Sequence, residues 1–337
     1  MRFVHFSRPL RTIAPLAPRR SPRVIVAILL SLVLPAFHAL AQSDVSGETA
    51  KKIPEPLDVS LPTKDGVRIS CRFYPGTNGK KTVPIIIVHG WDETGAMYEP
   101  LALWLQKNYG HAVLVPDLRG HGESTNLVAP NGDVVELDRS RMNNADLVNM
   151  VRFDLEAVKR FLMEQNNKEE LNIELLCVIG SEMGAVVGMN WVSLDWSWPP
   201  LPTFKQGQDV KAFVLISPPP SYHGMDIHAA LDHPQVRKLS AMIVVGENDS
   251  AKAVASARRI HSALSPYHLT DPKDEEEKIK NQDLFFFRLD TSLQGSKAVN
   301  APGLHVPERI GYFIKWRLVD REHIFPWTLR ESPLKAQ

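Results

Sequence analysis

Val178-Ile179-Gly180-Ser181-Glu182-Met183-Gly184-Ala185 lies where an apolar stretch, Glu174–Ile179, gives way to a segment of helical composition beginning near Gly184. The chain has only a few residues in which to change direction. A bend that tight crowds the residues two before and two after its tip, and glycine tolerates such crowding best. Gly180 and Gly184 flank Glu182 symmetrically. Centring the bend on Ser181 would put Ile179 and Met183 at the crowded positions, where a β-branched residue is sterically poor. The tip is therefore read as Glu182, with Ser181 as the alternative.

Outward from this bend, strand and helix alternate in both directions. Asp58–Leu61 and Val67–Tyr74, separated by Lys64-Asp65-Gly66, predict a β-hairpin. Val83–Val88, Ala112–Val115, Ala212–Ile216, Ala241–Val245 and Asp283–Leu289 are runs of strand length, and continuous apolarity means that both faces are covered, as in a parallel sheet. Helices are predicted over Met97–Asn108, Asn143–Glu164, Lys252–Leu264 and Pro307–Leu318. In the second, Leu147, Val151, Leu155, Val158 and Leu162 share one face. The pattern predicts an α/β architecture: a mostly parallel eight-stranded sheet flanked by helices, opened by an antiparallel hairpin, with ligands outside the carboxyl ends of the strands. Ser217–Ser240 is long enough for a minimal lid only.

Two more segments carry family information. His89-Gly90-Trp91 ends the Val83–Val88 strand, and Pro116-Asp117-Leu118-Arg119-Gly120-His121-Gly122-Glu123-Ser124 follows Ala112–Val115. With the bend, they resemble the α/β-hydrolase fold superfamily of esterases, lipases and serine aminopeptidases, in an order covering nearly all of Leu57–Leu318. The resemblance implies that Gly180–Gly184 is the nucleophile elbow G-x-S-x-G, with Glu182 where serine stands. It implies oxyanion-hole N–H groups at Trp91 and Met183, and an acid at Asp249 in Gly246-Glu247-Asn248-Asp249. The base should lie in the loop after Asp283–Leu289. There Lys297 is closest to the histidine position, and His305 is the only histidine. His89 is expected to brace its loop. His121 and Ser124 belong to a scaffold turn in which Asp117 and Arg119 can pair.

Glu182 admits three readings. It can be a carboxylate nucleophile, as in families resembling epoxide hydrolases and haloalkane dehalogenases, where histidine-activated water completes the reaction. It can fold back onto the Trp91 and Met183 N–H groups at the helix start and fill its own oxyanion hole. It can pair with Lys297, since a lone buried charge is costly. Two function classes follow: a hydrolase of ester or amide bonds using Asp249, His305 and Glu182 or Ser181, or a non-catalytic pseudo-hydrolase that keeps the pocket for binding or for a structural role.

Residues 1–41 differ from the rest. Six arginines and no acidic residue precede the apolar run Val24–Leu34 and then Ala39-Leu40-Ala41, the order of a secretory signal with cleavage after Ala41. The apolar run is too short to span a bilayer comfortably, so no stable membrane span is expected after cleavage, and a secreted or periplasmic location is. Residues 42–56 read as a linker, 57–320 as one hydrolase-like domain and 321–337 as a tail. Losing the six arginines moves the formal charge from +1 to −5, a poor balance for nucleic-acid binding. A small-molecule ligand or substrate is the partner class implied. Cys71 and Cys177 are expected to be buried free thiols. No phosphate-cradling motif or zinc spacing occurs, and His223, His228 and His233 recur at intervals that put no two on one helical face, so neither cofactor nor metal is expected.

Overall fold

Alternate residues of a strand point to opposite faces, so a strand that is apolar throughout demands cover on both sides. The computed structural model, which describes residues 52–199, 201, 204–248, 251–269 and 274–330, meets that demand. Its strands are β1 (Leu57–Pro62), β2 (Arg68–Tyr74), β3 (Pro84–Val88), β4 (Ala112–Pro116), β5 (Asn126–Val128) and β6 (Val134–Glu136), followed by β7 (Leu176–Ser181), β8 (Val210–Ile216), β9 (Ser221–Tyr222), β10 (Met225–Asp226), β11 (Ser240–Gly246) and β12 (Leu284–Leu289). Eight of them form one sheet in the order β1-β2-β4-β3-β7-β8-β11-β12. The opening pair and the β2–β4 contact are antiparallel; every other pairing is parallel. The sequence expectation of a mostly parallel eight-stranded sheet with an antiparallel opening holds.

The core lies in two layers. Ile86 and Val88 face one cluster, with Val178, Phe213 and Trp191, while Ile85 and Ile87 face the other, with Ile179, Leu101 and Phe313. One strand, β3, therefore feeds both layers.

Two elements differ from the sequence reading. β7 starts at Leu176 because Asn172 accepts the Glu174 amide at 3.0 Å and holds Ile173–Leu175 in a tight turn; the strand then runs on to Ser181. The long helix over Asn143–Glu164 is divided into Asn144–Asn149, a wide π turn at Met150–Asp154, and Leu155–Asn167. Its five apolar positions are nonetheless all buried. The wide turn ends on Asp154, whose carboxylate accepts both the Arg119 amide and its guanidinium.

Between β8 and β11 the chain makes the β9–β10 ribbon and two short helical turns, His228–Leu231 and Val236–Lys238. Beyond the closing helix Val306–Arg317, the chain packs back as far as Arg330, which is buried. Among the described residues no helix is long and apolar enough to cross a membrane.

Candidate functional site

The bend between β7 and the helix Met183–Ser197 has Glu182 at its tip, at φ 48° and ψ −118°. A side chain held in so sparsely populated a region costs on the order of 1–3 kcal/mol, so the surroundings must enforce it. They do so through the two glycines. A Cβ on Gly180 would lie 2.6 Å from Ala185 Cα, and one on Gly184 would be driven into the Val88 and His89 carbonyl oxygens. The Glu182 amide donates to the Ile216 carbonyl at 2.9 Å and ties the tip to β8. Ser181 ends β7 beneath the bend, wholly buried beside the Tyr98 hydroxyl.

The Glu182 carboxylate stands between two backbones. A Cβ on Gly90, in the loop after β3, would lie 2.6 Å from its Oε2, and one on Gly295, in the loop after β12, 3.2 Å from its Cδ. A side chain on either wall would crowd the carboxylate, and Gly295, at φ 56°, has a backbone that favours glycine as well. The carboxylate makes no hydrogen bond to the start of its own helix, so of the three readings the one that folds it back onto the Trp91 and Met183 N–H groups is not formed.

Sequence reasoning missed Glu93. It is buried, and its Oε2 accepts the Gly90 amide at 2.8 Å and the Tyr98 hydroxyl at 2.6 Å, while its Oε1 accepts the Ser296 amide at 2.7 Å. It straps the loop after β3 to the loop after β12. Burial opposes its charge, but the hydrogen bonds from Ser296, Tyr98 and Gly90 outweigh burial and hold its pKa below the ordinary glutamate range. Glu182 is shifted the other way: partial burial, then the charges of Glu93 and Asp92, raise its pKa, against a smaller opposing pull from Lys297.

Neither expected base residue bonds to Glu182. Lys297 is exposed on the short helix Gly295–Asn300 and forms no ion pair with Glu182. His305 is exposed at the head of the closing helix, 3.5 Å from Glu308. Every histidine after residue 51 is among the described residues, and none makes a hydrogen bond or ion pair with Glu182. Asp249 lies outside the described residues. Around its neighbours an amide acts as a clamp: Gln294 accepts from the Ser217 hydroxyl at 2.6 Å and the Gly246 amide at 3.3 Å, and donates to the Gly246 carbonyl at 2.9 Å.

His89 braces its loop as expected. Its Nε2 accepts the Leu118 amide at 3.0 Å, so the proton sits on Nδ1, which donates to the Gly90 carbonyl at 2.7 Å; burial pushes its pKa down to about 4. Ser124 accepts the Ser70 amide and donates to the Asp117 carbonyl, a scaffold role. The Asp117–Arg119 pair is not formed. Asp117 takes the Gly95 and Glu123 amides, and Arg119 pairs with Asp154 and Asp65. Over the site, Trp91 stacks on His223 at 4.8 Å and leans on Tyr222 at 5.4 Å, so the β9–β10 ribbon forms a small roof. No three His, Cys, Asp or Glu side chains among the described residues are arranged to hold a metal ion.

The sequence profile described as alpha/beta hydrolase fold matches residues 83–257. No curated protein matches the chain in sequence. Among solved structures, an esterase from Pyrococcus furiosus is similar at 17% identity and a TM-score of 0.54, over 78% of this chain and 91% of its own. A dienelactone hydrolase from Anabaena variabilis is similar at 16% identity and 0.53, over 79% and 100%. Carboxyl esterase 2 from the fungus Tuber melanosporum is similar at 18% and 0.51, over 82% and 90%. At these identities the likeness is one of fold.

Proposed function

Because the chain belongs to the α/β-hydrolase fold family, we propose that it is an esterase-like member that has lost ordinary serine-hydrolase chemistry at the elbow and keeps the scaffold for non-catalytic binding. The observation that carries this reading is the Glu182 carboxylate, set between Gly90 and Gly295 with no imidazole bonded to it. A serine mechanism needs a hydroxyl at the tip and a histidine within hydrogen-bond reach. Ser181 is buried below the tip, and Gly295 brings no side chain to the place where the loop after β12 meets Glu182. A carboxylate nucleophile fares no better, because its ester intermediate is released by histidine-activated water.

A second reading has one observation in its favour. Glu182 and Glu93 have pKa values pushed in opposite directions, the arrangement that separates a general acid from a base. Against it, Glu93 already accepts three hydrogen bonds and has little left with which to take a substrate proton.

The test is hydrolysis of p-nitrophenyl acetate together with labelling by a fluorophosphonate probe. The wild-type chain should turn over no faster than Glu182→Gln and take no label, and Glu182→Ser alone should stay inactive for want of an imidazole. Turnover that Glu182→Gln abolishes would establish carboxylate catalysis, and label on Ser181 would overturn the assignment of the tip. We also propose export, with cleavage after Ala41, on the arginine-rich start and the Val24–Leu34 run. A mature N-terminus at Gln42, found by mass spectrometry of the exported protein, is the expected result.

A further inference from the structure

A cavity of about 820 Å³ opens at the amino ends of β7, β8, β11 and β12, the opposite end of the strands from Glu182. Its volume falls within the range of small-molecule sites. Five lysine and arginine side chains line it against two carboxylates. The exposed apolar side chains Trp198, Leu201, Ile324 and Leu329 line it as well. Large apolar side chains held in water beside a cationic wall are the two halves of a site for an amphipathic anion.

The cations are not equivalent. Arg330 and Lys205 are committed to Glu174 and Asp209. Lys211, at the start of β8, is largely buried; it donates to the Gln208 carbonyl, and its nearest carboxylate oxygen, on Glu174, is 4.0 Å away. Its ammonium lies 5.0 Å from the Trp196 ring and 5.6 Å from that of Phe325. Burial, then the charge of Lys205, brings its pKa down to about 8 against the opposing pull of Glu174, Asp209 and Asp195, so further negative charge beside it would be favourable. A ligand carboxylate would supply that charge while an apolar chain lay along the Trp196, Trp198 and Phe325 side chains.

We propose that this cavity binds an amphipathic monocarboxylate, its head on Lys211 and its chain toward the apolar mouth. The site stands whether or not the elbow is inert, since the two share no residue.

The test uses dodecanoate brominated at its far end, titrated into the mature chain while tryptophan emission is followed. Saturable quenching is expected, reversed by excess dodecanoate and much reduced in the Trp196→Phe, Trp198→Phe double variant. Dodecyltrimethylammonium should compete at least about tenfold more weakly, and Lys211→Met should weaken dodecanoate about tenfold or more, the scale of a hydrogen bond to a charged group. Should Lys211→Met fail to fold, the tryptophan variant and the cationic competitor carry the test alone. No saturable quenching, undiminished quenching in the tryptophan variant, equal competition by the cation, or unchanged affinity in a folded Lys211→Met would each overturn the proposal. So would binding that emerges only after residues 331–337 are removed, which would give the cavity to the chain's own end.

Discussion

Glu182 is held in a strained conformation by its neighbours and given a raised pKa by them, and both effects can be tested one residue at a time. Gly184→Ala would push a methyl group into backbone carbonyls that cannot step aside, so it should cost about 3 kcal/mol or more in urea unfolding, the upper range for overpacking. For the charge, the sign follows from linkage. The folded chain holds the Glu182 proton more tightly than the unfolded chain does, so the associated stability is complete below the ordinary glutamate value of 4.5 and is lost as pH rises through the folded pKa. Glu182→Gln should therefore melt higher than wild type at neutral pH, with the advantage gone by about pH 4. An advantage that persists in acid would deny the charge effect. Glu93 runs oppositely: its folded pKa is lowered, so its contribution is present above the ordinary value and fades as pH falls through the folded one. The bend was legible because the steric rule spans only five residues. Glu93 was not, because its partner Ser296 is 203 positions away and a buried carboxylate leaves no local mark in sequence.

At the scale of elements, local and distant partners compete for the same groups. Asp117 and Arg119 stand two apart on one turn and invite pairing, yet Arg119 reaches Asp154 at the end of the π turn and Asp65 in the opening hairpin. One guanidinium thus joins three elements, which no motif within the turn could announce. Arg119→Met would leave Asp154, completely buried, without its cation; the expected cost is about 3–5 kcal/mol by chemical denaturation, against less than about 1 kcal/mol for an exposed pair. The strand pattern was legible down to the order of β and α segments, since burial on both faces writes itself as unbroken apolarity. It also placed Cys71 and Cys177 in strands, and both are buried free thiols. β2 and β7 are separated by β4 and β3, so at roughly 4.8 Å per strand the sulfurs are far beyond disulfide reach. Added reductant should leave the melting temperature unchanged, and a thiol reagent should modify neither cysteine until the chain unfolds.

Taken as a whole, the molecule places unusual chemistry at both ends of its sheet. At the carboxyl ends of the strands Glu182 stands where a family likeness promised a serine, with a second glutamate, Glu93, buried beside it. The base position could not be read from sequence, because it depends on how the loop after β12 is folded: Gly295, and neither Lys297 nor His305, meets Glu182. At the amino ends, Lys159, Asp195, Asp209, Lys205, Glu174 and Arg330 form one buried charge network that fastens the end of the described chain to the sheet. Asp209 is its hub, and its charge is held by three cations. Removing one leaves it partly compensated: Arg330→Met leaves Lys159 at 2.9 Å and Lys205 at 3.2 Å, so the cost should sit near the lower end of the range for a broken buried pair, about 3 kcal/mol. Removing Lys159 as well strips Asp195 and Asp209 of their shared cation at once. The Lys159→Met, Arg330→Met double variant should then be destabilised by more than the two single costs combined, with a coupling above about 0.5 kcal/mol in a double-mutant cycle. Additive costs would mean that each bridge acts alone and that the end of the chain is fastened by separate contacts rather than by a network.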